Sequence, residues 1–143
     1  MKSTATAVWN GGLKDGKGAV SAGNGAFHDT PYDFSKRFDG AAGPGTTPEE
    51  LVGAAHAACF SMALSGGLAG AGFPPERITA MATVTLDRVD GKSTVTSSHL
   101  DVSAKVAGID AAKFAEVAET TRLGCPISRL LNAAITLEAK LER

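Results

Sequence analysis

The stretch TPEELVGAAHAACFS, which runs from Thr47 to Ser61, decides what kind of fold this sequence can form. Thr47 supplies an N-cap oxygen, Pro48 takes the first helical position, where its missing N–H costs nothing, and two glutamates suit the positive end of the helix dipole. The residues that follow are small or apolar on every side, so we expect a helix to about Ala69. Such a helix belongs inside the protein or inside an oligomer.

Short β-like runs separated by glycine turns precede this helix. Residues Thr4 to Trp9 alternate in polarity, and Asp15-Gly16 is typical of a two-residue hairpin turn before a strand at Gly18 to Ser21. Phe34 and Phe38 bracket Arg37 in a third strand or a loop. We therefore expect an N-terminal region built from strands.

A β-hairpin follows the helix. Ile78 to Val89 alternates, Asp90-Gly91 makes the turn, and Lys92 to Val106 returns as the second arm. Val95 is out of phase with the apolar positions after it, which predicts a bulge near Ser97-Ser98.

The last third of the sequence predicts two helices and a strand. Asp110 caps a helix that ends at Gly124, a short helix follows Pro126, and the apolar alternation from Ile135 to Leu141 predicts a closing strand. The inner stripe of the first of these helices consists of Phe114, Val117, Ala118 and Thr121. This order of elements is an α+β fold, which we expect to form one domain over residues 1–143.

The amino-acid composition limits the kinds of partner that this protein is expected to bind. The 143 residues carry a net charge of −1, with 20% charged and 43% hydrophobic residues, which gives no basis for binding nucleic acid or an anionic membrane. Leu51 to Pro75 lacks charged residues, but it is rich in Ala and Gly and has no basic or Trp/Tyr flanks, so we do not expect it to span a membrane. The N-terminus resembles no signal peptide, which predicts a cytoplasmic location.

The two cysteines are the candidates for chemistry. They are too far apart for a CxxC redox motif or paired zinc ligands. Cys59, in mid-helix, fits an inert buried thiol as well as a nucleophile. Cys125 precedes Pro126 at a helix start, where first-turn N–H groups lower a thiol pKa, although a poor N-cap explains it equally.

His56 lies one turn before Cys59, where it is half of a metal site, a catalytic base or a polar packing residue. The sequence offers no second pair of soft ligands, because His28 and His99 are isolated. A zinc site needs three or four ligands, so we predict no metal and a packing role for His56.

Three motifs carry a resemblance to a known family: Thr47 to Ser61, Tyr32 to Phe38 (YDFSKRF) and Leu123 to Ser128 (LGCPIS). Across essentially the whole chain the sequence resembles the OsmC/Ohr family of thiol peroxidases, and His56 makes it more similar to the OsmC branch. Thr47 departs from the family's usual Asn, but both residues cap helices. The resemblance implies an OsmC-like fold, with antiparallel sheets packed around a long buried central helix, in an intertwined homodimer.

The resemblance also implies an activity, the reduction of organic hydroperoxides to alcohols in oxidative and osmotic stress. Cys59 would attack the peroxide and become a sulfenic acid, and Cys125 would condense with it to a disulfide. No bound cofactor is implied, because an external dithiol of the lipoyl type would restore both thiols. Arg37 would partner the Cys59 thiolate and the peroxide oxygens, and Glu49 would hold Arg37 in place.

Helix geometry adds a constraint to this implied site. Cys59 lies about 15 Å from the start of its helix, beyond the reach of the dipole, so a thiolate there requires a nearby cation. Glu49 and Cys59 are also about 15 Å apart along the helix. We infer that Glu49 or Arg37 reaches the thiol from the other subunit of a dimer.

The substrate pocket and the alternatives stay open at this level. An apolar pocket for alkyl or lipid peroxides would be lined by Phe60, Met62, Phe73 and Leu123, which fit a protein core equally well. A cysteine-dependent acyl transferase or hydrolase would use Cys59 with His56. A stress-associated dimer that binds an apolar ligand would leave both cysteines inert.

Overall fold

The computed structural model describes residues 1–142 and divides the chain into two compact units. The first unit is Met1–Leu51, and the second begins at Val52. The architecture is α+β, as the sequence predicts, while the assignment of a single domain stays a prediction.

The first unit contains an antiparallel sheet in the order β1-β2-β3, formed by Ala5–Asn10, Lys17–Ala22 and Thr30–Asp33. Asn10 pairs with Lys17, so residues 11–16 form the connecting loop, and the predicted two-residue turn at Asp15-Gly16 is wrong. The Gly16 N–H donates a hydrogen bond to the carbonyl oxygen of Gly12, which folds the loop inward. This close approach requires glycine, because a Cβ at position 16 would clash with the same oxygen.

Arg37 lies on a short helix, α1 (Phe34–Phe38), and not on the strand or loop that the sequence predicts. The side chain of Asp33 accepts a hydrogen bond of 2.8 Å from the backbone N–H of Lys36, which caps this helix. Asp33, a residue type favoured at the N-cap, is the sequence signal for this helix.

The second unit holds a sheet of β4 (Pro75–Val89), β5 (Lys92–Val106) and β6 (Ala134–Glu142), in that order. Asp90 and Gly91 have φ values of 51° and 77°, which confirms the predicted tight turn between β4 and β5. Thr85 pairs with Ser97 but Leu86 pairs with Val95, so the predicted bulge is confirmed at Thr96.

The final strand corrects one expectation. β6 pairs with β5 in parallel, so this sheet is mixed, not antiparallel. The chain crosses over between these strands through α3 (Ala111–Gly124) and α4 (Pro126–Leu130), and a parallel pair requires such a crossover. Asp110 caps α3 as predicted, and the four residues predicted to form the inner stripe of α3 are all buried.

The long helix α2 (Pro48–Gly70) buries one face. Its buried residues recur every three or four positions, namely Gly53, His56, Phe60, Leu64 and Leu68. Of these, Phe60, Leu64 and Leu68 pack in a core with apolar residues of β5 and α3. The opposite face is exposed, and Met62 on that face has an exposed fraction of 74%. The prediction that α2 is buried on all sides is therefore wrong for a single copy of the chain. Length and composition also fit a membrane span, but the buried face forms part of the core.

Candidate active site

Tertiary packing brings the two cysteines together. The Sγ atoms of Cys59 and Cys125 lie 3.4 Å apart, and both thiols are free. Cys59 projects from α2, whereas Cys125 occupies the junction of α3 and α4. The backbone N–H of Cys125 donates to Thr121 at 2.8 Å, and its carbonyl accepts from Arg129 at 3.0 Å, so both flanking helices hold it.

The two thiols differ in their access to solvent. Cys59 is partly exposed, while Cys125 is 1% exposed. A reagent from solution therefore meets Cys59 first. A disulfide has an S–S length of about 2.05 Å, so the two sulfurs must move closer by more than 1 Å to form one.

The surroundings of the two thiols shift their pKa values in opposite directions. Burial raises the pKa of Cys59, and the neighbouring Cys125 adds to this, against one hydrogen bond from the Ile127 backbone. Burial acts in the same direction on Cys125, but hydrogen bonds from the backbone N–H of Ser128, from Cys59 and from the Ser128 hydroxyl outweigh it and lower the pKa of Cys125.

Arg37 and Glu49 form a forked ion pair within the first unit. The Arg37 Nε donates to the two Glu49 carboxylate oxygens at 3.2 and 3.1 Å, and Nη2 donates to Oε1 at 2.6 Å. The guanidinium also lies 5.1 Å from the centre of the Phe38 ring. Two parallel hydrogen bonds orient the arginine as well as neutralise it, so Glu49 sets where Arg37 can point.

The two glutamates at the start of α2 have separate tasks. Glu50 closes a capping box with Thr47: its N–H donates to Thr47 Oγ1 at 3.1 Å, and Oε2 accepts from the Thr47 N–H at 2.9 Å. The pattern Thr-x-x-Glu is the signal that reveals this box in the sequence. Because Glu50 caps the helix, the Glu49 carboxylate remains for Arg37.

A cavity of about 280 Å³ opens beside Arg37 in the first unit. Its lining is mainly aromatic and apolar, formed by Trp9, Leu13, Tyr32, Asp33, Phe34, Arg37, Phe38 and Pro48. The sequence pattern missed it, because these residues come from three separate segments.

The residues proposed from the sequence for the pocket do not gather into one cavity in the described chain. Phe60 is a fully buried core residue, and Met62 and Leu123 are exposed. Phe73 packs against the core. For Phe60 and Phe73, the core alternative is therefore correct.

His56 is a buried packing residue, as the sequence predicts. Its Nδ1 lies 2.8 Å from Ser98 Oγ, and its Nε2 lies 2.9 Å from Ser128 Oγ. Burial lowers the pKa of His56, so the ring is neutral at physiological pH. Both nitrogens are taken up by serine hydroxyls, which leaves none to activate Cys59.

His99 is not isolated, contrary to the expectation from the sequence. It stands with Asp101 on β5 and Glu138 on β6, close enough for the three to share a cation; His99 and Asp101 are half-buried and Glu138 is exposed. Glu138 is already paired with Lys140 at 2.9 Å, so the group is partly neutralised, and we assign no metal to it.

Three comparisons place the chain among known proteins. Residues 40–140 match the family described as OsmC-like protein. Over 136 residues the chain is 48% identical to the Peroxiredoxin OsmC of Escherichia coli strain K12, covering 95% of this chain and 94% of that protein.

Solved structures share the fold. An OsmC-like protein of unknown function from Vibrio cholerae superposes with a TM-score of 0.77 at 15% identity, covering 97% of this chain and 99% of that chain. An organic hydroperoxide resistance protein from Elizabethkingia anophelis superposes with a TM-score of 0.71 at 23% identity, covering 98% and 96%. These similarities extend over nearly the whole chain.

Proposed function

This chain belongs to the family of OsmC-like proteins, and from that premise we propose that it is a thiol peroxidase that reduces organic hydroperoxides in stress defence. The observation that carries the proposal is the free thiol pair, with Cys59 partly exposed, Cys125 buried and 3.4 Å between their sulfurs. The relative from Escherichia coli is named a peroxiredoxin, and such a pair supplies the two electrons that a peroxide reduction needs.

The proposed cycle has three steps. The Cys59 thiolate attacks the outer peroxide oxygen, an S–O bond forms as the O–O bond breaks, and the leaving alkoxide takes up a proton to become the alcohol. The Cys125 thiolate then attacks the sulfur of the Cys59 sulfenic acid and expels hydroxide, which becomes water. An external dithiol, of the lipoyl type by family resemblance, reduces the disulfide and is itself oxidised.

Arg37 is the proposed cation for the Cys59 thiolate and the peroxide oxygens. In the described chain, the pKa of Cys59 is shifted by burial, by the backbone of Ile127 and by Cys125. None of these supplies a positive charge. A reactive thiolate there needs a positive charge from another source. The Arg37–Glu49 fork is a guanidinium already oriented by a carboxylate, beside an apolar cavity suited to an organic group.

A homodimer is the proposed assembly. The exposed face of α2 is apolar and small, with Ala54, Ala58, Met62, Gly66 and Ala69 at its surface. Leaving this face in water is unfavourable, and a second copy of the helix would cover it. A cytoplasmic location, where thiols remain reduced, fits the same chemistry.

Turnover of cumene hydroperoxide with dihydrolipoamide as the reductant tests the proposal. We expect turnover by the unaltered protein and by the matched control Ser61→Ala, which changes a half-buried serine two positions after Cys59. Cys59→Ser should abolish peroxide consumption. Cys125→Ser should consume one equivalent and stop with a sulfenic acid at Cys59. Peroxide consumption that persists in Cys59→Ser would refute the assignment.

The acyl transferase alternative finds no support in the site. It requires His56 to act as a base toward Cys59, yet the ring nitrogens of His56 bind Ser98 and Ser128.

A further inference from the structure

Three residues form one row across the sheet of the first unit. Gly18 on β2 pairs with Trp9 on β1 and with Tyr32 on β3, so two aromatic side chains flank a residue that has none. Directly paired residues point to the same face of a sheet, so both rings can lean toward each other over the glycine. Their centroids are 5.5 Å apart, and the ring planes are inclined at 44°.

Gly18 is the residue that permits this approach. A Cβ at position 18 would lie 2.5 Å from Cε1 of Tyr32 and 2.8 Å from Cε3 of Trp9, well inside the roughly 3.5–4.0 Å at which carbon atoms pack. The indole N–H of Trp9 donates to the carbonyl oxygen of Gly11 at 3.1 Å, which fixes the orientation of this ring. The height of the two rings above β2 is therefore set by the missing side chain.

A second aromatic pair lines the same cavity from α1. Phe34 and Phe38 are one helical turn apart, and their ring centroids lie 4.8 Å from each other at 41°. Together with Trp9 and Tyr32, they make four of the eight residues that line the cavity aromatic. Rings attract a further ring through edge-to-face and offset contacts, which an aliphatic chain cannot make. The lining therefore favours an aromatic guest.

Arg37 gives the cavity a charged wall with donors to spare. Its Nε and Nη2 are bound to Glu49, whereas Nη1 donates to no other group among residues 1–142. The N–H groups of Nη1 can therefore bind oxygen atoms of a guest. Asp33, the other charged residue of the lining, is already paired with Lys17 at 2.6 Å. A guest with an aromatic ring and a peroxide or hydroxyl group would match both parts of the cavity.

We propose that this cavity is the subsite for the organic group of the hydroperoxide and that the group it takes is compact and aromatic. Gly18 is the specificity-determining residue, because it sets how far the rings of Trp9 and Tyr32 reach into the space. The inference rests on the proposed peroxidase activity for the identity of the reacting group, whereas binding of an aromatic ring does not depend on that activity.

The size of the cavity supports a compact guest. Its volume of about 280 Å³ lies just below the range of roughly 300–1,000 Å³ that is usual for small-molecule sites, so a single substituted ring fits and a long acyl chain does not. The substrate class is thus narrower than the alkyl or lipid hydroperoxides expected from the sequence.

Trp9 is the only tryptophan in the sequence, so its selectively excited fluorescence reports on this cavity. The probe is 2-phenyl-2-propanol, the alcohol that reduction of cumene hydroperoxide yields. The comparison is 1-nonanol, a flexible chain with the same number of carbon atoms. We expect the aromatic alcohol to change the Trp9 emission and to bind about tenfold more tightly than the chain, since one aromatic contact is worth up to about that factor. A merely apolar surface would give the opposite order, because the chain buries more apolar area.

Two variants test the specificity role. In Gly18→Ala the added Cβ pushes the rings of Trp9 and Tyr32 away from β2 and into the cavity, so the affinity for 2-phenyl-2-propanol should fall about tenfold. Ala19→Ser, at the next position and on the opposite face of β2, is the matched control and should leave the affinity unchanged. Phe34→Leu covers the case in which Gly18→Ala does not fold. It stays apolar but removes one ring, so it should weaken binding of the aromatic alcohol about tenfold and leave that of 1-nonanol unchanged.

The same variant has a kinetic readout. Phe34→Leu should lower kcat/KM for cumene hydroperoxide about tenfold relative to tert-butyl hydroperoxide, by raising KM and not by lowering kcat. An unchanged ratio would overturn the proposal, as would equal affinities of Phe34→Leu and the unaltered protein for 2-phenyl-2-propanol.

An occupied cavity would also be detected. No change in Trp9 emission on adding 2-phenyl-2-propanol, the result expected if a segment of a second copy fills the cavity, would overturn the proposal. Because the alcohols bind without reacting, failure of the peroxidase activity would appear separately, as a lack of turnover in a protein that still binds the aromatic alcohol.

Discussion

Oxidation of the thiol pair should stabilise the protein, and the amount follows from where the cysteines lie. Cys59 and Cys125 are 66 positions apart in the sequence. In the chain-entropy description, a cross-link that closes a loop of this length destabilises the unfolded chain by about 4 kcal/mol. The sulfurs are 3.4 Å apart in the reduced protein, so forming the bond should distort the folded state little.

Urea denaturation of the reduced and the peroxide-oxidised protein measures this difference. For a domain of this size the unfolding free energy falls by about 2 kcal/mol per molar urea, so the midpoint should rise by about 2 M on oxidation. Intact mass after alkylation must show that both thiols are lost in the oxidised sample. Cys125→Ser, treated in the same way, is the matched control and should show no such rise.

The reasoning fails if a sample with a verified Cys59–Cys125 disulfide unfolds at the same urea concentration as the reduced protein. That result would mean that closing the bond strains the folded state by as much as it constrains the unfolded chain. Agreement would establish that the reduced fold holds the sulfurs ready for condensation.

Three further predictions follow from the site and the helix. Arg37→Met should slow the first oxidation of Cys59 about a hundredfold in stopped-flow measurements, whereas Arg88→Met, at an exposed turn, should not; equal rates would remove Arg37 from the site. Burial lowers the pKa of His56 in the folded protein. When the pH is lowered below about 6.5, His56 is therefore protonated in the unfolded chain but not in the folded protein. The free energy of unfolding should then fall by up to about 1.4 kcal/mol for each pH unit, until the pH reaches the pKa of His56 in the folded protein. His56→Gln should remove that slope in urea denaturation, and a slope that persists would contradict the assignment. Met62→Glu should convert the proposed dimer to a monomer in sedimentation, whereas Met62→Leu should not; a dimer that survives the charge would place the interface elsewhere.

The local elements could be predicted because their signals lie within a few residues of each other. Asp110 caps α3 through a bond to the N–H of Lys113, and Asp90-Gly91 turns the hairpin with two positive φ values. The bulge at Thr96 follows from a change of phase that the sequence shows directly. The two differences in the first unit are local as well: glycine packing lengthens the loop at residues 11–16, and the Asp33 cap starts a helix around Arg37.

The sequence by itself determined the family, the two cysteines worth testing and most element boundaries. The resemblance implied that Cys59 meets Cys125 and that Arg37 meets Glu49, and the tertiary structure decided how closely they meet. Only the tertiary structure decided that His56 contacts its two serines. It also decided that β6 runs parallel to β5. The physical reason is distance along the chain. Caps and turns depend on hydrogen bonds within one or two turns of backbone, whereas these contacts join segments that only core packing brings together.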